Sequence, residues 1–558
     1  MPNAANPLIV QGDKSLLLEV QNERYESARD ALARFAELEK SPEYIHTYHI
    51  TPLSLWNAAS SGLSAADILA QLEDFSKYGL PANVVRDIEE YIGRYGRVKL
   101  IREGENLILT SEDATLMLEI LNHKATARYL HEKLDAHKVL IDPARRGHLK
   151  QALLKIGYPA EDLAGYVVGD DLPIALRTTT LAGKPFSLRR YQEESAEVFH
   201  ASGSARGGSG VIVLPCGAGK TIVGMAAMAQ LQTSTLILTP NTVAVRQWIN
   251  ELLDKTSLTE DLIGEYTGSQ KEIRPVTVST YQILTYRKRG TEEFPHFSLF
   301  NARNWGFIIY DEVHLLPAPV FRITAEIQAR RRLGLTATLV REDGMEGNVF
   351  SLIGPQKYNV PWKDLEKEGW IATATCHEIR VSLAGDERMA YALAPNRQKY
   401  SVATHNTKKL PVLQAILARH LGENILVVGM YLDQLDEIAE LLEAPLINGK
   451  TPVQKREELY EKFRIGDEKI LVVSKVANFS IDLPDASVAI EISGTFGSRQ
   501  EEAQRLGRIL RPKADGSAAH FYTIVTRETV DQTYAANRQR FLTEQGYKYE
   551  ILYEDEIL

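Results

Sequence analysis

Lys220 and Thr221 close the run Leu214-Pro215-Cys216-Gly217-Ala218-Gly219, which follows an apolar stretch and opens an apolar helix-forming one. A strand, a glycine-bearing turn and a helix start in that order aim backbone N–H groups at one point, where the helix dipole also favours negative charge. A triphosphate suits such a place. Pro215, Cys216, Gly217, Ala218 and Gly219 would wrap it, Lys220 would reach its β- and γ-phosphates, and Thr221 would offer a hydroxyl to magnesium. The run departs from the general phosphate-loop pattern at one position, since Leu214 stands where the first glycine belongs.

Asp311 and Glu312 end a second apolar run, residues 307–310, and are followed by Val313 and His314. Two carboxylates at the end of a buried strand lie where parallel sheets bind ligands. One acid can hold magnesium and the other can take a proton from the water that attacks a phosphate. Far downstream, Arg508 and Arg511 recur three residues apart and so share a helix face. A guanidinium pair brought to a phosphoryl group neutralises the charge that develops as it transfers. Each pattern taken singly also describes a plain glycine turn, a solvated acid pair or a solvated basic face; their order along one chain favours ATP hydrolysis.

These groups need a scaffold. From residue 211 the chain alternates short β-branched runs with helical stretches, the pattern of a parallel sheet covered by helices. Runs 211–214, 235–239, 276–279, 307–310 and 332–335 predict one α/β lobe; after the interval 385–411, runs 425–428, 446–447, 470–473, 488–492 and 520–525 predict a second. The first 175 residues read as α+β. A hairpin is expected over 8–20, a helix capped by Ser64, a helix after Pro81, and a strand pair over 98–109, the last three together fitting a winged helix or a plain α+β scaffold. The expected domains are an N-terminal accessory domain (1–118), a small second module (119–175), two lobes (176–365 and 366–545) and a tail (546–558).

Composition narrows the class. A chain of 558 residues exceeds one core, and 44% hydrophobic with 25% charged residues is ordinary for a water-facing protein. No apolar run approaches a membrane span and the start has no signal pattern, so a cytoplasmic location is expected. Two cysteines, Cys216 and Cys376, cannot form a four-thiolate cluster. The net charge of −9 places any phosphate-gripping surface in local basic clusters, such as Tyr286-Arg287-Lys288-Arg289-Gly290, and not in overall charge.

The motifs together resemble superfamily 2 helicases, and within them the XPB type. Ser187-Leu188-Arg189-Arg190-Tyr191-Gln192 is similar to that family's adenine-sensing segment, which implies Gln192 as a base contact. Leu236 to Asn241 with Arg246-Gln247-Trp248, and Val278-Ser279-Thr280-Tyr281-Gln282, resemble its strand-tracking segments. Asp311-Glu312-Val313-His314 and Thr336-Ala337-Thr338 resemble its second and third motifs, and Asp482 stands in a stretch like its fifth, implying a ribose contact. Arg341-Glu342-Asp343 resembles the short charged element that this family uses in unwinding. Gln504, Arg508 and Arg511 resemble its last motif, with Gln504 at the nucleotide. The resemblance implies two RecA-like parallel-sheet lobes, ATP and Mg2+ as cofactors, 3′→5′ movement on single-stranded or forked DNA, and a damage-recognition role for the second module. It also implies a nuclease or repair-protein partner, and leaves the oligomeric state open. The stretch from Ile371 to Ile425 is short for a thumb-like insertion, which keeps a double-strand translocase as one alternative, the motor subunit of a nuclease assembly being the other.

Overall fold

The computed structural model describes residues 3–215, 217–287, 294–328, 330–337, 345–474, 486–494 and 518–558. They divide into two compact units, the first chiefly residues 1–360 and the second 361–558, with the short stretches 38–43 and 215–218 grouping with the second.

The first unit begins with the expected hairpin, Leu8–Val10 against Ser15–Glu19, joined on its second strand by Ile45–His49. Ser64 caps helix Ala65–Phe75 through a reciprocal capping box with Asp67, which satisfies backbone donors that the helix itself cannot. Helix Ala82–Arg94 follows with Pro81 at its N-cap. The winged-helix expectation is not met. Strands Lys99–Glu103 and Asn106–Thr110, its supposed wing, pair with each other but are inner strands of a five-stranded sheet, in which Asn106–Thr110 also pairs with Lys138–Ile141, Lys99–Glu103 with Glu161–Asp162, and Leu130–Lys133 with the far side of Lys138–Ile141. A boundary at residue 118 therefore falls inside a sheet whose core joins Leu100, Leu109, Met117, Val139 and Leu153.

The rest of the first unit is a RecA-like lobe. Its seven strands are Ser209–Val213, Thr235–Thr239, Ile263–Tyr266, Val276–Thr280, Phe307–Asp311, Arg331–Thr336 and Gln356–Asn359. Numbered in chain order, they lie 3-4-2-5-6-1-7, all parallel. The five strands expected from sequence form the middle, fully buried on both faces as the continuous β-branched runs require. The third and seventh strands lie at the edges; the seventh has no fully buried residue, which is why its sequence carries no strand signal.

The second unit repeats this plan. Strands Ala374–Val381, Ile425–Gly429, Leu446–Ile447, Ile470–Ser474, Val488–Glu491, Ala519–Thr526 and Tyr549–Tyr553 again lie 3-4-2-5-6-1-7 and parallel. Two expectations need correction. The series starts before the interval 385–411, with Ala374–Val381, whose alternating buried and exposed residues hide it from a search for apolar runs. Residues 546–558 are not a tail: Tyr549–Tyr553 adds an edge strand beside Ala374–Val381, and Glu554 accepts hydrogen bonds from the Ser382 hydroxyl at 2.6 Å and from the Lys408 ammonium at 3.2 Å. Between Ile371 and Ile425 the chain holds that first strand and three helices, Gly385–Leu393, Asn396–Thr404 and Lys409–Arg419.

Candidate active site

The site lies at the carboxyl ends of the central strands of the first lobe. Strand Ser209–Val213 runs into the turn with Gly217 at φ 79° and Gly219 at φ 82°, backbone that a side chain would strain. Gly219 is the N-cap of helix Lys220–Leu231 and gives it no side-chain hydrogen bond. Within the turn, the Ala218 N–H donates to the Pro215 carbonyl at 3.2 Å. Gln192, buried at the start of helix Arg190–His200, accepts from the Arg189 N–H at 3.0 Å. Its amide nitrogen would lie only 2.5 Å from a Cβ placed on Gly219, so glycine there is what lets the two meet.

Asp311 ends strand Phe307–Asp311, and Glu312 follows in the left-handed region at φ 47°. That turn sends the two carboxylates different ways. The Lys220 ammonium binds Glu312 Oε1 at 2.8 Å with both groups largely buried, while His314 Nδ1 lies 3.5 Å from Oε2. Burial pushes the Glu312 carboxyl up, but the Lys220 and His314 charges outweigh it and hold the group below its usual range. Burial and the Glu312 charge push Asp311 up to about 6; the Lys220 charge lowers it as well, but not by enough. Its Oδ2 accepts from the Trp248 indole N–H at 2.9 Å, its Oδ1 from the Glu312 N–H at 3.1 Å, and its carbonyl oxygen from the Tyr281 hydroxyl at 2.7 Å.

Around these, His314 Nδ1 meets the buried Thr336 hydroxyl at 2.7 Å, and the Thr336 carbonyl accepts from the Leu214 N–H at 3.0 Å. The third motif thus touches both the acid pair's loop and the strand that feeds the turn. Thr221 sits half-buried in the first turn of its helix. Thr280 caps the short helix Tyr281–Leu284 through its hydroxyl, and Arg246 is exposed on helix Thr242–Lys255. Cys216, Thr338, Arg341, Glu342, Asp343, Asp482, Gln504, Arg508 and Arg511 lie outside the described residues. Sequence reading singled out Trp248 and Tyr281 only as parts of strand-tracking segments and missed their hold on Asp311.

A phosphate turn and a strand-end acid pair on a parallel lobe of this strand order define a RecA-like nucleotide-hydrolysing ATPase. The chain is 55% identical over 552 residues, 99% of its length and 97% of the relative's, to the DNA 3′-5′ helicase XPB of Kineococcus radiotolerans. It is likewise 55% identical, over 99% of its length and 98% of the relative's, to the protein of that name from Mycobacterium tuberculosis. With the XPB subunit of the general transcription and DNA repair factor IIH of Enterocytozoon bieneusi it shares 33% identity over 98% of this chain and 92% of that one. The family described as ERCC3/RAD25/XPB C-terminal helicase matches residues 365–557, the res subunit of type III restriction enzymes matches 185–341, and a helicase conserved C-terminal domain matches 8–135. Among solved structures, the Hef helicase domain of Pyrococcus furiosus is similar at 15% identity and a TM-score of 0.43, covering 62% of this chain and 97% of that one. This chain belongs to the XPB family. No helix among its described residues is long and apolar enough to cross a membrane.

Proposed function

We propose that the chain is an ATP-driven 3′→5′ DNA helicase or translocase of DNA repair, with Lys220, Glu312 and Asp311 at its hydrolytic centre. The observation that carries this reading is the ion pair of Lys220 with Glu312 beside the less well compensated Asp311. The Lys220 ammonium neutralises the Glu312 carboxylate. An arriving triphosphate draws the ammonium from Glu312 Oε1 to its own β- and γ-oxygens, and the freed carboxylate regains basicity in its buried setting. Glu312 then accepts a proton from the attacking water as the water oxygen bonds to the γ-phosphorus. The bond from that phosphorus to the β–γ bridging oxygen breaks, and ADP leaves with the electron pair. Gln192 holds the base side of the turn, Asp482 and Gln504 the rest of the nucleotide, and Arg508 and Arg511 neutralise the phosphoryl group.

Two carboxylates served by one ammonium form a locally anionic spot that fits a divalent cation. Asp311 and the Thr221 hydroxyl would hold magnesium, which when bound supplies positive charge to the phosphate oxygens. Arg246, Thr280, His314, Thr336, Thr338 and the Arg341-Glu342-Asp343 element carry the coupling to DNA, and a nuclease or another repair protein completes the working assembly.

The test is steady-state ATP hydrolysis by wild type and Glu312→Gln, with and without single-stranded DNA, forked duplex and RNA. DNA should stimulate the wild type and the variant should lose about a hundredfold or more. A rate that no nucleic acid changes, or a variant as fast as wild type, overturns the reading. Strand displacement from the fork, run beside triplex displacement, separates unwinding from translocation.

A further inference from the structure

Trp248 and Tyr281 stand apart in sequence, yet both end on Asp311. Trp248 belongs to helix Thr242–Lys255, where the chain turns Arg246 outward to solvent and Trp248 inward to 1% exposure. The indole reaches the acid because helix Lys220–Leu231 has a glycine beneath it: a Cβ on Gly224 would lie 2.6 Å from the indole Cη2. One side chain thus packs on the helix that begins with Lys220 and hydrogen-bonds Asp311 Oδ2 at 2.9 Å. Tyr281 follows Thr280, whose hydroxyl accepts from the Ile283 N–H at 3.2 Å and fixes the turn that aims the phenol at the Asp311 carbonyl, 2.7 Å away. The peptide after that carbonyl is Glu312, in the left-handed conformation that directs its carboxylate to Lys220.

We infer that Trp248 and Tyr281 are positioning residues that carry the state of two segments, one exposing Arg246 and the other exposing Gln282 beyond the buried Thr280, to Asp311 and the Glu312 peptide, so that DNA bound along Arg246 and Gln282 sets the rate of hydrolysis. The inference rests on the proposed function. A load on the exposed face of helix Thr242–Lys255 moves the helix as a body, and its buried face transmits the shift through one hydrogen bond to the acid side chain. The second segment acts through the acid's backbone. The two inputs converge on Asp311 and its peptide, while Glu312 has two alternative partners, the Lys220 ammonium and the attacking water, and so provides the two-state element that coupling needs.

Trp248→Phe keeps a ring and removes the N–H, and Tyr281→Phe removes only a hydroxyl and leaves the packing intact. For each, hydrolysis is measured with and without saturating single-stranded DNA, alongside DNA affinity by anisotropy and ADP affinity by a fluorescent analogue. The ratio of stimulated to unstimulated rate should fall about tenfold in Trp248→Phe, which loses a bond to a charged group, and about threefold in Tyr281→Phe. Both affinities should stay within about twofold of wild type, a split that a merely loosened fold would not give. Ratios equal to wild type in both variants overturn the inference, and so do lowered ratios explained by weaker DNA binding. A wild type that DNA does not stimulate sinks the functional reading and this wiring with it, whereas a stimulated wild type with unaffected variants sinks the wiring alone.

Discussion

The two lobes share one strand order, 3-4-2-5-6-1-7, yet differ in what stands at the ends of equivalent strands. In the first lobe, strand one ends in the phosphate turn and strand five in Asp311. In the second, strand one ends in Val381 and strand five in Glu491, which is buried and bound to Arg538 at 2.8 Å. The same topological position thus holds an acid available for chemistry in one lobe and an acid locked in an internal ion pair in the other. Fold alone does not make the site; the availability of the strand-end groups does.

Three changes press on that contrast. Lys220→Met in the first lobe should cost about a thousandfold in hydrolysis, since among the described residues no other ammonium is paired with Glu312, and the loss is read as kcat in the presence of DNA. Asp531→Asn in the second should leave catalysis less directly touched but destabilise the lobe by about 3 kcal/mol. It strips the charged partner from Lys409, whose buried ammonium lies 2.9 Å from the carboxylate and otherwise donates to the Ile492 carbonyl; denaturant unfolding of the second lobe's transition reads it. The smallest effect concerns pH. Asp162 is buried between Arg146 at 2.5 Å and Lys150 at 3.1 Å, and although burial pushes its carboxyl up, those cations hold it below the ordinary 3.8. A depressed acid stabilises the fold above its unfolded pKa and ceases to do so as pH falls through the folded one. The thermal midpoint of the wild type should therefore decline as pH drops below about 4, with a shallower decline in Asp162→Asn.

Much of this was legible in sequence where a residue's environment is uniform. Strands such as Ile425–Gly429 are buried throughout and announce themselves as β-branched runs. The edge strands Gln356–Asn359 and Tyr549–Tyr553 meet solvent along their length, and their composition carries no comparable signal. The strand pair expected over 98–109 forms, but its membership of a larger sheet was not legible, because pairing with Lys138–Ile141 depends on contacts some thirty residues away that local pattern cannot register. At the site, the turn and acid pair were visible because their chemistry demands fixed residue types. The Trp248 and Tyr281 hydrogen bonds were not, since an indole or phenol beside an apolar run looks the same whether its polar edge meets water or a carboxylate.

The position of the first strand within each sheet has a consequence for how the chain is made. In the second lobe, Ala374–Val381 emerges from the ribosome first, but its two neighbours are Ala519–Thr526 and Tyr549–Tyr553, the last strands to be synthesised. It must wait, with half its residues apolar and both edges unpaired, until nearly the whole lobe has appeared. Such long-range pairing slows folding and exposes strand edges to wrong partners. In the first lobe Ser209–Val213 waits in the same way for Arg331–Thr336 and Gln356–Asn359, so both lobes should regain their native state slowly after dilution from denaturant and draw on chaperones during synthesis.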